Sequence, residues 1–282
     1  MVLATGSYMV NDTMMKLATA GLPPYEVLFL RGVSATLWAV PLLLVTNQAR
    51  HVPKMLSGTV LLRNGLELVA ISSFILALAN MPIANATALG QVTPLLVLLG
   101  ASLLFGERLG WTKSLLIGVG FVGALMVAQP TFEGISVFAL LALANAVFSA
   151  GRDVASRRVA GEVPGLVVAF GATLVVLLGA GLVHLLFEDW VAPTTRHLAL
   201  LGGAGLFLFG GHFFIFMAYR IGPASTVAPF YYFFTFWAVI SGVIVFEQLP
   251  NPLALAGILL VVASGIAVVL VDQRQRRPLP AT

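Results

Sequence analysis

The stretch Phe105-Gly106-Glu107-Arg108-Leu109 closes one long apolar run, and Phe246-Glu247-Gln248-Leu249 closes another. Glu107 and Glu247 stand 140 residues apart, as do Leu109 and Leu249; Gly21 and Pro24 return at the same offset as Gly161 and Pro164, and Ala84 as Ala224. Self-similarity at a fixed offset marks a repeated structural unit. Each copy reads as five apolar runs, and an odd number of crossings makes the second copy enter a bilayer from the opposite side. The repeats are therefore expected to be inverted, the arrangement by which many secondary transporters build a central site that opens to either face.

Composition agrees with a membrane setting. The chain has 282 residues, of which 59% are hydrophobic and 9% charged, against about a quarter charged in an ordinary soluble domain. The mean hydropathy is +1.01. A span needs about 20 apolar residues, and punctuation by Gly, Pro and charge predicts spans near 1–19, 24–46, 58–79, 83–105, 112–129, 134–151, 164–186, 197–219, 223–246 and 252–271. The fold class expected is all-α integral membrane: ten transmembrane helices as two inverted five-helix repeats, residues 1–130 and 134–272, with a short basic tail at 273–282. The segment Met1 to Ala20 contains Asn11, Asp12 and Lys16 and lacks a basic start with a small-residue cleavage site, so it reads as a span and not a signal peptide. The chain contains no cysteine, which removes disulfide, thiolate and cysteine–metal chemistry.

The formal net charge of +4 does not point to nucleic acid, because the basic residues are scattered through connecting segments. They sort by side instead. With a cytoplasmic N-terminus, inside connections and the tail hold twelve of fifteen basic residues: Arg50, Lys54, Arg63, Arg108, Lys113, Arg152, Arg157, Arg158, Arg220, Arg274, Arg276 and Arg277. The opposite side keeps Lys16, Arg31 and Arg196, with Glu26, Glu133, Glu188, Asp189 and Glu247. The positive-inside rule then places both termini in the cytoplasm of a cell inner membrane.

Polar side chains within the apolar runs are costly in hydrocarbon, so they are expected to face a cavity or a partner helix. The 140-residue offset carries Ser72 onto His212 and Gln91 onto Tyr231; inversion puts the first of each pair just outside the midplane and the second just inside, ringing a central site. Asn11, Asn145 and Ser149 complete the candidate cavity groups. A structural alternative has His212 bridging helices and Gln91 bonding a carbonyl freed by Pro94. Thirteen of the twenty-eight aromatic residues fall between Phe207 and Trp237, which predicts a nearly uncharged aromatic pocket in which Tyr231 and Tyr232 offer hydroxyls. Asp12 with Lys16, and Glu67 with Arg63, are one helical turn apart and expected to pair. Either acid is otherwise a candidate for a coupling proton, and Arg31 is expected to reach Glu26 or Asp12. Gly210 and Gly211, with Pro94 and Pro229, are candidates for close packing or for a bending gate.

No His-Glu-x-x-His, phosphate-cradling loop or Gly-x-Ser-x-Gly is present, so no metal, cofactor or ATP hydrolysis of that type is expected. An intramembrane enzyme using His212 with Ser72 or Ser149, or a purely structural scaffold, is the reading of another class. The Asn11-Asp-Thr-Met-Met-Lys16 run, Gly21-Leu-Pro-Pro24 leading to Phe29-Leu-Arg31, Ala84-Asn-Ala-Thr-Ala-Leu-Gly-Gln-Val-Thr-Pro94 and Phe105-Gly-Glu107-Arg108-Leu109 together resemble the drug/metabolite transporter superfamily, EamA type. That resemblance implies alternating access, a cavity made by spans 1–4 and 6–9 with spans 5 and 10 peripheral, and small organic solutes as cargo. The layout is similar to YddG-type amino-acid exporters, which implies export of neutral or aromatic amino acids; the span-1 run also looks like importers of S-adenosylmethionine or riboflavin. Partners expected are a small-molecule substrate and the lipid bilayer, with no obligate protein partner, as monomer or homodimer.

Overall fold

The computed structural model describes residues 1–105, 110–129, 135–156, 158–161, 163–221 and 228–276. Its α-helices are α1 (Val2–Ala18), α2 (Pro24–Val45), α3 (Gly58–Asn80), α4 (Ile83–Gly90), α5 (Thr93–Phe105), α6 (Trp111–Ala128), α7 (Val137–Ser156), α8 (Gly165–Phe187), α9 (Thr195–Ile221), α10 (Phe233–Phe246) and α11 (Pro252–Arg276). Two 3₁₀ segments, Ala49–Leu56 and Ala228–Tyr232, stand between them, and no strand occurs among the described residues. Gly106, Glu107, Arg108, Leu109 and Ala224 of the repeat signature lie outside the described residues. Among the described residues, eight helical runs are long and apolar enough to cross a membrane: α2, α3, the α4–α5 run, α6, α7, α8, α9 and α11. Helix α1, at 17 residues, and α10, at 14, are shorter. α11 continues through Arg276, past the start of the expected tail.

Helix starts follow from local chemistry. Pro24 opens α2 where its missing N–H is no loss. Asn251 caps α11, its Oδ1 accepting from the Ala254 N–H at 2.8 Å. Asn251 also exchanges two amide bonds with Gln129, at 2.8 and 3.0 Å, tying the end of α6 to the start of α11. The N-terminus of α2 is fixed from a distance: Glu188 accepts from the Tyr25 and Glu26 N–H groups at 3.1 and 3.2 Å, which suits an anion at a helix N-terminus.

The fourth predicted span is broken. Pro94 has no N–H to offer the carbonyl four residues back and its ring crowds that carbonyl, so α4 stops at Gly90 and α5 begins at Thr93. The Thr93 hydroxyl donates to the orphaned Gly90 oxygen at 2.7 Å and stands 3.3 Å from the Ala146 oxygen of α7. Gln91, expected to serve that carbonyl, does not. The threonine is nearer and needs no side-chain excursion.

Helices pack in a pattern that exchanges the two halves. α1 lies on α9 and α3 on α7; α2 lies on α9 and α3 on α8; α5 meets α7, and α10 meets α1. α2 and α8 pack on each other, as do α6 and α11. Close approach is made possible by glycine. A Cβ at Gly123 would sit 2.8 Å from the Gly257 oxygen, and one at Gly257 2.6 Å from the Gly123 oxygen, so α6 and α11 touch backbone to backbone. Large apolar side chains point outward instead of into a soluble shell: Leu178, Leu182, Leu185 and Phe187 along α8 are all well exposed. Such a surface suits lipid and not water.

Candidate functional site

The bundle holds a partly open cavity of ≈ 390 Å³. Its walls come from α1, α2, α3, the α4–α5 junction, α7, α8, α9, and the Tyr231 to Phe234 segment where α10 begins; α6 and α11 contribute no lining residue. Of the residues singled out from sequence, Asn11, Asp12, Arg31, Glu67, Gln91, Pro94, Asn145, Ser149, His212 and Tyr231 line it. Ser72 and Tyr232 are not among the lining residues. Tyr232 turns to α11, where its ring occupies the space a side chain at Gly265 would need.

The cavity departs from the expected uncharged aromatic pocket. It carries six carboxylate and guanidinium side chains, Asp12, Arg31, Arg63, Glu67, Arg152 and Asp153. Four of them form a chain: Arg152 Nη1 meets Glu67 Oε2 at 2.7 Å, Arg152 Nε meets Asp153 Oδ1 at 2.8 Å, and Arg63 stands 3.7 Å from the same Glu67 oxygen. The expected Arg63–Glu67 contact exists, but the shorter bond comes from α7, whose Arg152 reaches across to α3. Of the clustered aromatics, Tyr231 and Phe234 line the cavity together with His212, whereas Phe213, Phe230, Phe233 and Phe236 do not line it. Consecutive helical residues sweep the circumference, so a cluster in sequence cannot all face one cavity.

Asp12 does not pair with Lys16. Asn11 donates to Asp12 Oδ1 at 2.8 Å, and the Lys16 ammonium instead donates to the Leu78 and Met81 oxygens at 2.5 and 2.7 Å, with the Phe246 ring 5.5 Å away. The final carbonyls of α3 have no helical partner and sit at the negative end of the helix dipole, which draws the ammonium there. Glu26 is not the partner of Arg31 either; its carboxylate accepts from the Val191 N–H at 3.1 Å. Arg31 is 6% exposed, its Nε has no partner, and no hydrogen bond or ion pair to it occurs among the described residues. Gln91 Nε2, Thr87 Oγ1 and Asn11 Oδ1 are likewise buried without a partner, and all three residues line the cavity.

His212 Nδ1 lies 2.8 Å from the Leu208 oxygen one turn back on its own helix. A carbonyl only accepts, so Nδ1 carries the proton and Nε2 is the free ring nitrogen. Tyr8 meets the imidazole edge to face at 5.4 Å. Ser149 donates to Asn145 Oδ1 at 3.4 Å. Around α9 the glycines serve close contact: a Cβ at Gly211 would lie 2.6 Å from the Tyr8 ring and one at Gly203 3.0 Å from Met14. Gly210 has Ser7 at ordinary distance, and Pro229 lies in the 3₁₀ segment before α10.

Several lining groups escape the sequence reading: Tyr8, Arg63, Thr87, Asp153 and Arg152. Arg152 looks like a loop cation beside Arg157 and Arg158. The repeat offset contained the missing signal, since it carries Asp12 onto Arg152.

A multi-helix membrane protein with a polar chamber at its centre is the architecture of a transporter. A profile of the EamA-like transporter family matches residues 1–129 and 137–271, and the chain belongs to that family. It is 30% identical over 268 residues to the pseudopaline exporter CntI of Pseudomonas aeruginosa, covering 94% of this chain and 93% of that one. It is 28% identical over 213 residues to a riboflavin transporter of Rhizobium johnstonii, covering 75% and 70%. To an S-adenosylmethionine uptake transporter of Rickettsia prowazekii it is 23% identical over 269 residues, covering 94% and 89%. A solved crystal structure superimposes with a TM-score of 0.67 at 20% identity over 98% of each chain, a likeness of fold alone.

Proposed function

We propose that this chain is a secondary carrier of the cell inner membrane that exports small organic solutes, chiefly neutral amino acids and related metabolites, by alternating access around the central cavity. The observation that carries this reading is the cavity itself, which holds unpartnered polar atoms at the middle of a bundle whose outside is apolar. Its ≈ 390 Å³ falls within the range of about 300–1,000 Å³ usual for small-molecule sites. Two five-span repeats of opposite orientation, residues 1–130 and 134–272, form the working unit, with α1 and the α10 region as the first and ninth of ten spans. Packing supports this: exchanging the halves turns the α1–α9 contact into α7–α3, and the α2–α9 contact into α8–α3. Both termini lie in the cytoplasm, as the bias of basic residues favours.

Export is the direction supported by the Pseudomonas aeruginosa relative, an exporter by name, 30% identical over 94% of this chain. Uptake is the second reading, supported by the S-adenosylmethionine and riboflavin relatives. Purified protein in liposomes loaded with labelled amino acids, riboflavin or S-adenosylmethionine tests the reading. Protein-dependent flux of an amino acid is expected; flux of none of these solutes in either direction refutes it.

A further inference from the structure

The geometry points to a zwitterion site in which Arg31 receives the carboxylate of the cargo and Asp12, with Asn11, receives its ammonium. This rests on the carrier reading above and narrows it to one substrate class. Arg31 lies seven residues into α2, about 10 Å from its start, and is more than nine-tenths buried, yet its Nε has no partner. A guanidinium held away from water without a hydrogen-bonded anion is expensive, and its planar fork fits a carboxylate through two parallel bonds. Gly32 and Ala35 line the cavity beside it on α2, and Gly32 lets α8 approach closely, a Cβ there standing 3.0 Å from Leu177.

Charge balance selects among ligand classes. Arg63, Glu67, Arg152 and Asp153 neutralise one another by contact, which leaves Asp12 and Arg31 as the pair without a mutual bond. They interact across the space only through their fields. A net cation entering between them satisfies Asp12 and leaves Arg31 worse off than before; a net anion does the reverse. A molecule with one ammonium and one carboxylate satisfies both ends and adds no net charge. Asn11 already bonds one Asp12 oxygen, and its own Oδ1 is free to accept from an ammonium.

Flux in liposomes with matched probes tests the assignment: L-phenylalanine, L-methionine and L-glutamine, each with its primary amide and its N-acetyl derivative, and riboflavin as a solute without a carboxylate. At least one amino acid should move about tenfold or more faster than both derivatives, the usual consequence of losing a charge-assisted bond. Arg31→Gln should then abolish the gap between acid and amide, Asp12→Asn the gap between free and acetylated amine, and Arg31→Lys should keep part of the first gap. Monodisperse elution of each variant establishes folding, and should Arg31→Gln not fold, Arg31→Lys and Asp12→Asn decide. Equal flux of amino acid and amide, equal slowing of both in the Arg31 variants, or movement of riboflavin with no amino acid overturns the zwitterion assignment and leaves the carrier reading intact. Absence of flux for every probe removes the zwitterion assignment, and with S-adenosylmethionine unmoved as well it removes the carrier reading too.

Discussion

Arg152 shows how a single side chain changes meaning between sequence and structure. Read along the chain it belongs to a basic connection beside Arg157 and Arg158; in the fold it sits near the end of α7 and bonds Glu67 on α3 at 2.7 Å. Removing one member of a partly buried pair strands the other, so Glu67→Gln should lower stability by about 1–3 kcal/mol, and the Glu67→Gln, Arg152→Gln double variant should recover part of that loss. Thermal unfolding of the four proteins in detergent measures the coupling; strictly additive losses would contradict it. Most polar cavity residues were legible, because an Asn, Gln or His in an apolar run needs a polar environment. Their partners were not. Pairing inferred from one-turn spacing on α1 failed for Asp12 and Lys16 because the better acceptors, the last carbonyls of α3, are supplied by a helix distant in sequence.

At the level of helices, α2, α3 and α8 lie within a residue or two of expectation, whereas α7 and α11 run on through the charges that were expected to end them, to Ser156 and Arg276. The break at Gln91 and Val92 was hinted at by Pro94, but its repair by Thr93 depends on a side-chain torsion that composition does not reveal. The contact between α6 and α11 supplies a sharp element-scale prediction. Gly123→Leu places a side chain where the Gly257 backbone lies and should depress the midpoint of thermal unfolding by several degrees, while flux, whose chamber α6 and α11 do not line, falls far less. Gly118→Ala on the same helix meets nothing within 4 Å and should be neutral or slightly stabilising, since alanine is the better helix former. A matched pair of melting curves, with flux at a temperature below both transitions, checks this; equal destabilisation by both would contradict the backbone contact.

For the molecule as a whole, charge asymmetry and contacts converge. Tyr25 and Glu188, expected on one side of the membrane, are hydrogen-bonded, and Gln129 and Asn251, also expected on that side, exchange amide bonds. The chain contains no cysteine, so single cysteines can be introduced as reporters without background. Arg50→Cys and Arg158→Cys should react with an impermeant maleimide in inverted vesicles and not in intact cells, and Asp189→Cys should do the opposite; Arg50 and Arg158 on different faces would dismantle the inverted arrangement. The all-α membrane class was readable because hydropathy over the whole chain is a global property. The charged character of the chamber was not, because it arises from residues near opposite ends of different helices brought together only by folding.

Lys16 gives the bundle a threshold. Its ammonium grips two carbonyl oxygens where α3 ends and lies beside Phe246 at the end of α10. Drawing α1 away from that corner means surrendering two charge-assisted bonds together before any solvent arrives to replace them. Separating α1 from that corner therefore breaks both bonds in one step and not one after the other.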